Sequence, residues 1–241
     1  KEPYNVLLQA APIDIGEILQ ENLFSTKSSV VMTSATLTVN GTFDYFKLRF
    51  GIDAQTERKF TFAAVGSPYD YEKNMLCLVP DDLPMSTEKA YLLHIAEHLA
   101  SIFKLLEGRT MVLFTSYRML EQTYRMIRQL TDEMGISVIC QGLHGSRRSL
   151  LSRFKHGKRT VLFGTSSFWE GVDIQGEALS CVVIVKLPFA VPTEPLIKAR
   201  SELIEQKGGK AFNDYSVPQA VLKFKQGVGR LIRSQQDHGI V

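Results

Sequence analysis

Residues 110–140 read TMVLFTSYRMLEQTYRMIRQLTDEMGISVIC, and this stretch decides the fold. Residues 110–115 form a short apolar run bounded by polar residues, which predicts a strand. Ser116 follows as a helix N-cap, because its hydroxyl can accept from a first-turn N–H that has no helical partner. The spacing over 117–134 predicts a helix closed by Gly135, and 137–140 predicts the next strand. Strand, long helix and strand in this order make a βαβ unit, which implies parallel pairing.

The alternation continues on both sides. Downstream, a helix over 147–156 is capped by Ser146 and closed by Gly157, strands follow at 160–163 and 179–187, and helices at 195–206 and 218–233. Upstream, a strand at 75–79 leads to a helix over 87–106 that Gly108 ends. Nearer the start, a strand is expected at 5–9, a helix from Asp14 to about Phe24, a strand at 29–33, and a helix over 43–50 stopped by Gly51. Residues 52–74 read as irregular. The expected class is α/β, with a mostly parallel sheet and helices on both faces. The run Val182-Val183-Ile184-Val185 suits a strand buried on both sides. Asp237-His238-Gly239 reads as a turn, and Ile240-Val241 begin what looks like a strand. The chain is therefore expected to be part of a longer protein.

Composition narrows the function classes. The chain has 241 residues, 44% of them apolar, which is enough for a sizeable core. A net charge of +3 gives no strong overall field, so nucleic acid would have to be held in a local groove. No run of 18 apolar residues occurs and no secretion signal opens the chain, so no membrane partner and a cytoplasmic location are expected. Cys77, Cys140 and Cys181 are far apart, lie in apolar runs and form no CxxC pair, so buried reduced thiols are expected. His94 and His98 sit one helical turn apart without a third ligand, so no metal site is assigned to this chain.

Five stretches carry candidate chemistry. Residues 226–233 read QGVGRLIR. At helical period Gln226, Arg230 and Arg233 share one face, while Val221, Phe224, Val228, Leu231 and Ile232 face a core. Two arginines and an amide on one stripe can grip a phosphate, because guanidinium is a rigid fork of donors that stays charged. Gly227 and Gly229 each cost a helix about 1 kcal/mol relative to alanine, which suggests that a ligand or a second backbone comes close. Residues 164–174 read GTSSFWEGVDI. The small residues Gly164, Thr165, Ser166 and Ser167 let backbone N–H groups and hydroxyls approach a phosphate. Gly171 gives Asp173 access to a sugar hydroxyl, and Glu170 is either solvated or orients an arginine. Trp169, the only tryptophan, is either a base-stacking platform or a core residue. Residues 112–117, VLFTSY, end a strand and open a helix, where N–H groups and the hydroxyls of Ser116 and Tyr117 favour anions. Residues 141–148, QGLHGSRR, offer further backbone-phosphate contacts. At the end of the expected strand 29–33, residues 33–37 (TSATL) place small polar residues where open α/β sheets contact ligands.

In order, four of these stretches resemble the motifs of superfamily 2 helicases. Residues 33–37 resemble motif III, 112–117 motif IV, 164–174 motif V, and 226–233 motif VI. The forms SFWEGVDI and QGVGRLIRS resemble the DinG type in the XPD-like branch. The resemblance implies a RecA-like, P-loop NTPase-type helicase C-terminal domain over 1–241. Its core would lie at about 85–241, and 1–84 would carry motif III at an interdomain cleft. In the family ATP lies between two motor domains. By resemblance Arg230 and Arg233 reach its γ-phosphate, Gln226 is the glutamine of motif VI, and Gly171, Asp173 and Glu170 stand at the nucleotide side. Ser116, Tyr117, Thr165, Ser166, Ser167 and Trp169 match the single-strand DNA side, and Ser34 and Thr36 a coupling role.

The chain contains no GxxxxGK[ST] loop and no DEAH-like acidic motif. The resemblance therefore assigns most ATP and Mg²⁺ binding to a first motor domain, the expected intramolecular partner. In some relatives an iron–sulfur cluster is also bound upstream, and none is expected in this chain. The implied activity is ATP-dependent 5′→3′ unwinding of single-stranded or forked DNA substrates in repair or replication. Two alternatives stand beside it: a helicase-like regulatory part of a DinG-type 3′–5′ exonuclease, and a DNA-binding module without catalysis.

Overall fold

The structure is a computed structural model and describes residues 8–53, 58–88, 90–169, 174 and 176–241. Two compact units are formed, one from 1–64 with 189–222 and the other from 65–188 with 223–241.

In the first unit, α1 (Gly16–Leu19) continues into a π-helical turn at Gln20–Phe24, and α2 spans Asp44–Phe50. Asp14 Oδ1 accepts from Gly16 N at 3.0 Å, but the N-cap position falls on Ile15, one residue later than expected. Gly51 stops α2 with φ +66, and a Cβ there would lie 2.7 Å from Gly16 Cα, so the two glycines let the helices touch. Phe24, Phe46 and Ile52 form the core of this unit, with Phe60 edge-on to Phe24 at 5.3 Å. The expected strand at 29–33 does not form. Among the described residues no strand pairs with it, and Val31 is 88% exposed, so its β preference has no ladder to join. The expected strand at 5–9 lies largely outside the described residues.

The second unit holds the sheet. In chain order its elements are α3 (Tyr71–Asn74), β1 (Met75–Leu76), α4 (Tyr91–Leu106), β2 (Thr110–Leu113), α5 (Tyr117–Glu133) and β3 (Ser137–Cys140). They continue with α6 (Arg147–His156), β4 (Thr160–Gly164), α7 (Ser166–Trp169) and β5 (Cys181–Ile184). α8 (Pro195–Gln206), a π-helical turn at Phe212–Ser216 and the first half of α9 (Val217–Val228) are counted with the first unit, and the rest of α9 and β6 (Gly239–Ile240) with the second. The strand order is β1-β6-β5-β2-β4-β3, and every pair is parallel. The expected α/β class with a parallel sheet is observed.

Alternation along the strands explains the two layers. Val112, Phe114, Val138, Cys140, Val161 and Phe163 pack with Leu99 and Phe103 of α4 and Leu120 and Ile127 of α5. Met111, Leu113, Ile139, Leu162 and Val182 point the other way, to Leu150 and Phe154 of α6 and to Phe168, Trp169, Leu231 and Ile232. Every residue of β2 and β4 is buried, as a doubly covered parallel sheet requires. Helix ends follow the sequence signals. Ser116 Oγ accepts from Met119 N at 3.2 Å, and Ser146 Oγ from Ser149 N at 3.3 Å.

Two expectations need correction. Cys140 and Cys181 are buried, and burial pushes each thiol up to about 12, but Cys77 is exposed. The last helix stops at Val228 rather than continuing to 233. Arg230 N bonds Gly227 O at 3.2 Å and Leu231 N bonds Val228 O at 3.0 Å, so the chain tightens to i→i−3 turns and leaves the helix.

Candidate nucleotide and single-strand DNA interface

The carboxyl edge of the sheet is where parallel α/β folds bind ligands, because strand ends and helix starts meet there. Three connections emerge side by side at this edge, after β2, β3 and β4. Gln141, the residue after β3, links the other two. Its Oε1 accepts from Thr165 N at 2.8 Å and from Thr165 Oγ1 at 3.0 Å. Its Nε2 donates to Tyr117 Oη at 2.5 Å and to Ser167 Oγ at 2.9 Å. Arg147 Nε donates to Ser167 O at 3.1 Å, and its guanidinium lies over the Phe168 ring at 5.7 Å. Ser116, Tyr117, Ser166, Ser167 and Arg147 are exposed, so hydroxyls and a cation share one accessible patch.

Two expected contacts turn inward instead. Thr165 is buried, and both its N–H and its hydroxyl serve Gln141. Trp169 is 1% exposed, with Nε1 donating to Phe114 O at 3.2 Å. Of its two readings the core one holds, because an indole buried under α9 has no face left for a base. The sequence places Gln141 only within the 141–148 stretch of expected phosphate contacts. Its hub role was not legible, because a polar residue after a strand looks the same whatever it bonds.

The segment after α9 is bound to the same region. Arg230 is 9% exposed and its guanidinium donates to Trp169 O, 2.9 Å from Nη2 and 3.3 Å from Nε. Gly227 sits against the indole, and a Cβ there would lie 2.9 Å from Trp169 Cε3. The neighbour that the glycine admits is thus a side chain of the same unit. Gln226, Arg230 and Arg233 do not share a helical stripe, because only Gln226 lies within α9. Leu231 and Ile232 are buried as expected. Arg233 is held by its backbone: N donates to Asp237 Oδ2 at 2.8 Å and O accepts from Tyr69 Oη at 2.9 Å. Burial pushes the Asp237 carboxyl up. Hydrogen bonds from Arg233 N–H, the Ser234 hydroxyl and N–H, and Gly176 N–H outweigh it and hold the group below the usual carboxylate range.

The helicase C-terminal domain model matches residues 99–241, more than half of the chain, including the ends of β2, β3 and β4 and the segment after α9. The chain belongs to the helicase C-terminal domain family. It is 36% identical over 240 residues to the 3′–5′ exonuclease DinG of Bacillus subtilis, covering 98% of this chain and 26% of that protein. It is 40% identical over 234 residues to the ATP-dependent DNA helicase YoaA of Haemophilus influenzae, covering 97% of this chain and 35% of that protein. The chain thus spans about a quarter to a third of the curated relatives it matches. A solved structure named XPD helicase superposes with a TM-score of 0.63 at 19% identity, covering 86% of this chain and 37% of that one, which supports the RecA-like fold.

The remaining site residues are placed as follows. Glu170, Gly171 and Asp173 of helicase motif V lie outside the described residues. Ser34 and Thr36 lie in the first unit, where Ser34 Oγ is 3.3 Å from Thr36 Oγ1 and 3.2 Å from Thr36 N. His98 Nε2 lies 3.3 Å from Asp82 Oδ2, and its Nδ1 bonds His94 O at 2.9 Å. Among the described residues no three His, Cys, Asp or Glu side chains gather as a metal site.

Proposed function

We propose that this chain is the second motor domain of an ATP-dependent DNA helicase. It works in the cytoplasm with a first motor domain that binds most of the ATP and Mg²⁺, and the motor moves 5′→3′ on single-stranded or forked DNA during repair or replication. The observation that carries the proposal is the joining of motif VI to motif V by the Arg230–Trp169 hydrogen bonds. A motor must transmit change at a nucleotide to a DNA strand, and this connection links the two stretches matched to those roles. Ser116, Tyr117, Ser166 and Ser167 contact the DNA backbone. Gly171, Asp173 and Glu170 face the nucleotide, and Ser34 and Thr36 couple the two. Arg233 meets charge developing on the γ-phosphate, where a preorganised guanidinium stabilises the transition state.

The test compares ATP turnover by the chain alone with turnover by the same chain joined to a first motor domain, with and without single-stranded DNA. The chain alone has no phosphate-cradling loop, so DNA-stimulated turnover is expected only from the joined form. Turnover by the purified chain alone would falsify the half-motor reading.

A second reading is favoured by the name of the Bacillus relative: the chain is the helicase-like part of a 3′–5′ exonuclease, binding ATP and DNA without unwinding. Strand-displacement assays on forked DNA separate it from the first reading.

A further inference from the structure

The hub residue Gln141 has its whole hydrogen-bonding capacity assigned, and this fixes the direction of every bond around it. A primary amide has two N–H donors and one oxygen with two lone pairs. The backbone N–H of Thr165 can only donate, so the atom it meets at 2.8 Å must be the amide oxygen. The amide nitrogen therefore faces Tyr117 Oη at 2.5 Å and Ser167 Oγ at 2.9 Å, and it can only donate to them. Each hydroxyl accepts from Gln141 and keeps its own proton for a different partner. Tyr117 is 53% exposed and Ser167 is also exposed, so those protons are offered at the surface. The two hydroxyl oxygens bond the same nitrogen and are therefore neighbours. Exposed Arg147 adds a cation beside them through its bond to Ser167 O.

We propose that Gln141 is a positioning residue that sets Tyr117 and Ser167 as a pair of outward hydroxyl donors for one phosphodiester of a DNA single strand. The proposal rests on the reading of this edge as the DNA face. A phosphodiester suits the patch because its free oxygens only accept. Gln141 does not touch the strand. It fixes the polarity of the groups that do, and it does so from the β3 end, between the two motifs that carry them.

The test uses the full chain and a fluorescently labelled oligothymidylate strand, with affinity and melting temperature measured on each variant. Gln141→Glu keeps an oxygen for Thr165 but turns the other arm into an acceptor, so both hydroxyls would donate inward. Each outward donor lost to a charged acceptor is expected to weaken binding about tenfold. Gln141→Glu is therefore expected to weaken binding on the order of a hundredfold in the native background. In a Tyr117→Phe, Ser167→Ala background it is expected to weaken binding only a fewfold, through its added charge. An equal effect in both backgrounds would leave charge as the whole cause and overturn the proposal. Gln141→Met adds no charge and covers the case in which the glutamate variant does not fold. It is expected to lose about tenfold, and native affinity in that variant would also overturn the proposal. If Tyr117→Phe, Ser167→Ala alone binds like the native chain, the DNA-face reading itself fails. If that variant binds weakly while Gln141 variants bind normally, only the role of Gln141 fails.

Discussion

The guanidinium of Arg230 donates to the backbone carbonyl of Trp169, with Nη2 at 2.9 Å, although the two residues are 61 positions apart. A charged donor on a buried carbonyl is a strong contact, and truncating the side chain removes it. Arg230 thus has a structural task within its own unit, and Arg233 is the stronger candidate for the γ-phosphate. Arg230→Ala is expected to cost about 1–3 kcal/mol in stability, read by urea unfolding. Unchanged stability would remove the link between motifs V and VI.

Arg233→Ala, made in the chain joined to a first motor domain, is expected to leave melting temperature and DNA affinity near native. Turnover is expected to fall by a factor on the order of 10³, as for an arginine finger. The backbone clamp by Asp237 and Tyr69 survives the substitution, because it uses only main-chain atoms of Arg233. Arg233→Lys is expected to rescue little, since an ammonium lacks the planar fork. Near-normal turnover by folded Arg233→Ala protein would remove the finger.

Gly227→Ala sets two effects against each other. Helix propensity favours alanine by about 1 kcal/mol. The new methyl would lie 2.9 Å from Trp169 Cε3 and 3.2 Å from Leu113 Cδ1, and overpacking of this kind costs about 1–3 kcal/mol. Net destabilisation is expected, with a lower melting temperature. A rise would show that the indole moves away freely.

Trp169 is the only tryptophan and therefore an intrinsic probe. Its burial predicts blue-shifted emission that single-stranded DNA does not quench. Strong quenching at saturating DNA would return Trp169 to the role of base platform.

Asp237 predicts an acid response. Its folded-state pKa lies below the ordinary value, so the carboxylate adds stability above the unfolded pKa, near 3.9. That contribution is lost as pH falls from there through the lower folded value. Asp237→Asn is expected to be less stable at neutral pH and to show a flatter decline in acid. Parallel melting curves from pH 7 down to about pH 3 compare the two proteins. Curves that stay a constant distance apart would remove Asp237 from the acid transition.

The elements that sequence periodicity and caps placed well are those whose signals are local. Strand 137–140 and helices 147–156 and 195–206 match the observed β3, α6 and α8. Ser116, Ser146 and Gly135 act at helix ends because capping depends on a few neighbouring residues. The motif residues and their order were also legible, and with them the family. Tertiary structure decided what those residues bond. Thr165 looked like a surface contact and Trp169 could be read as platform or core, yet both are buried, because burial depends on what a distant segment lays over them. Arg230 and Arg233 look periodic with Gln226, but α9 ends at Val228 and Leu231 and Ile232 turn into the core. The strand preference at 29–33 came to nothing without a partner. Gln141 became the hub only when parallel pairing set the ends of β2, β3 and β4 side by side, since a hydrogen-bond partner is fixed by geometry in space and not by distance along the chain.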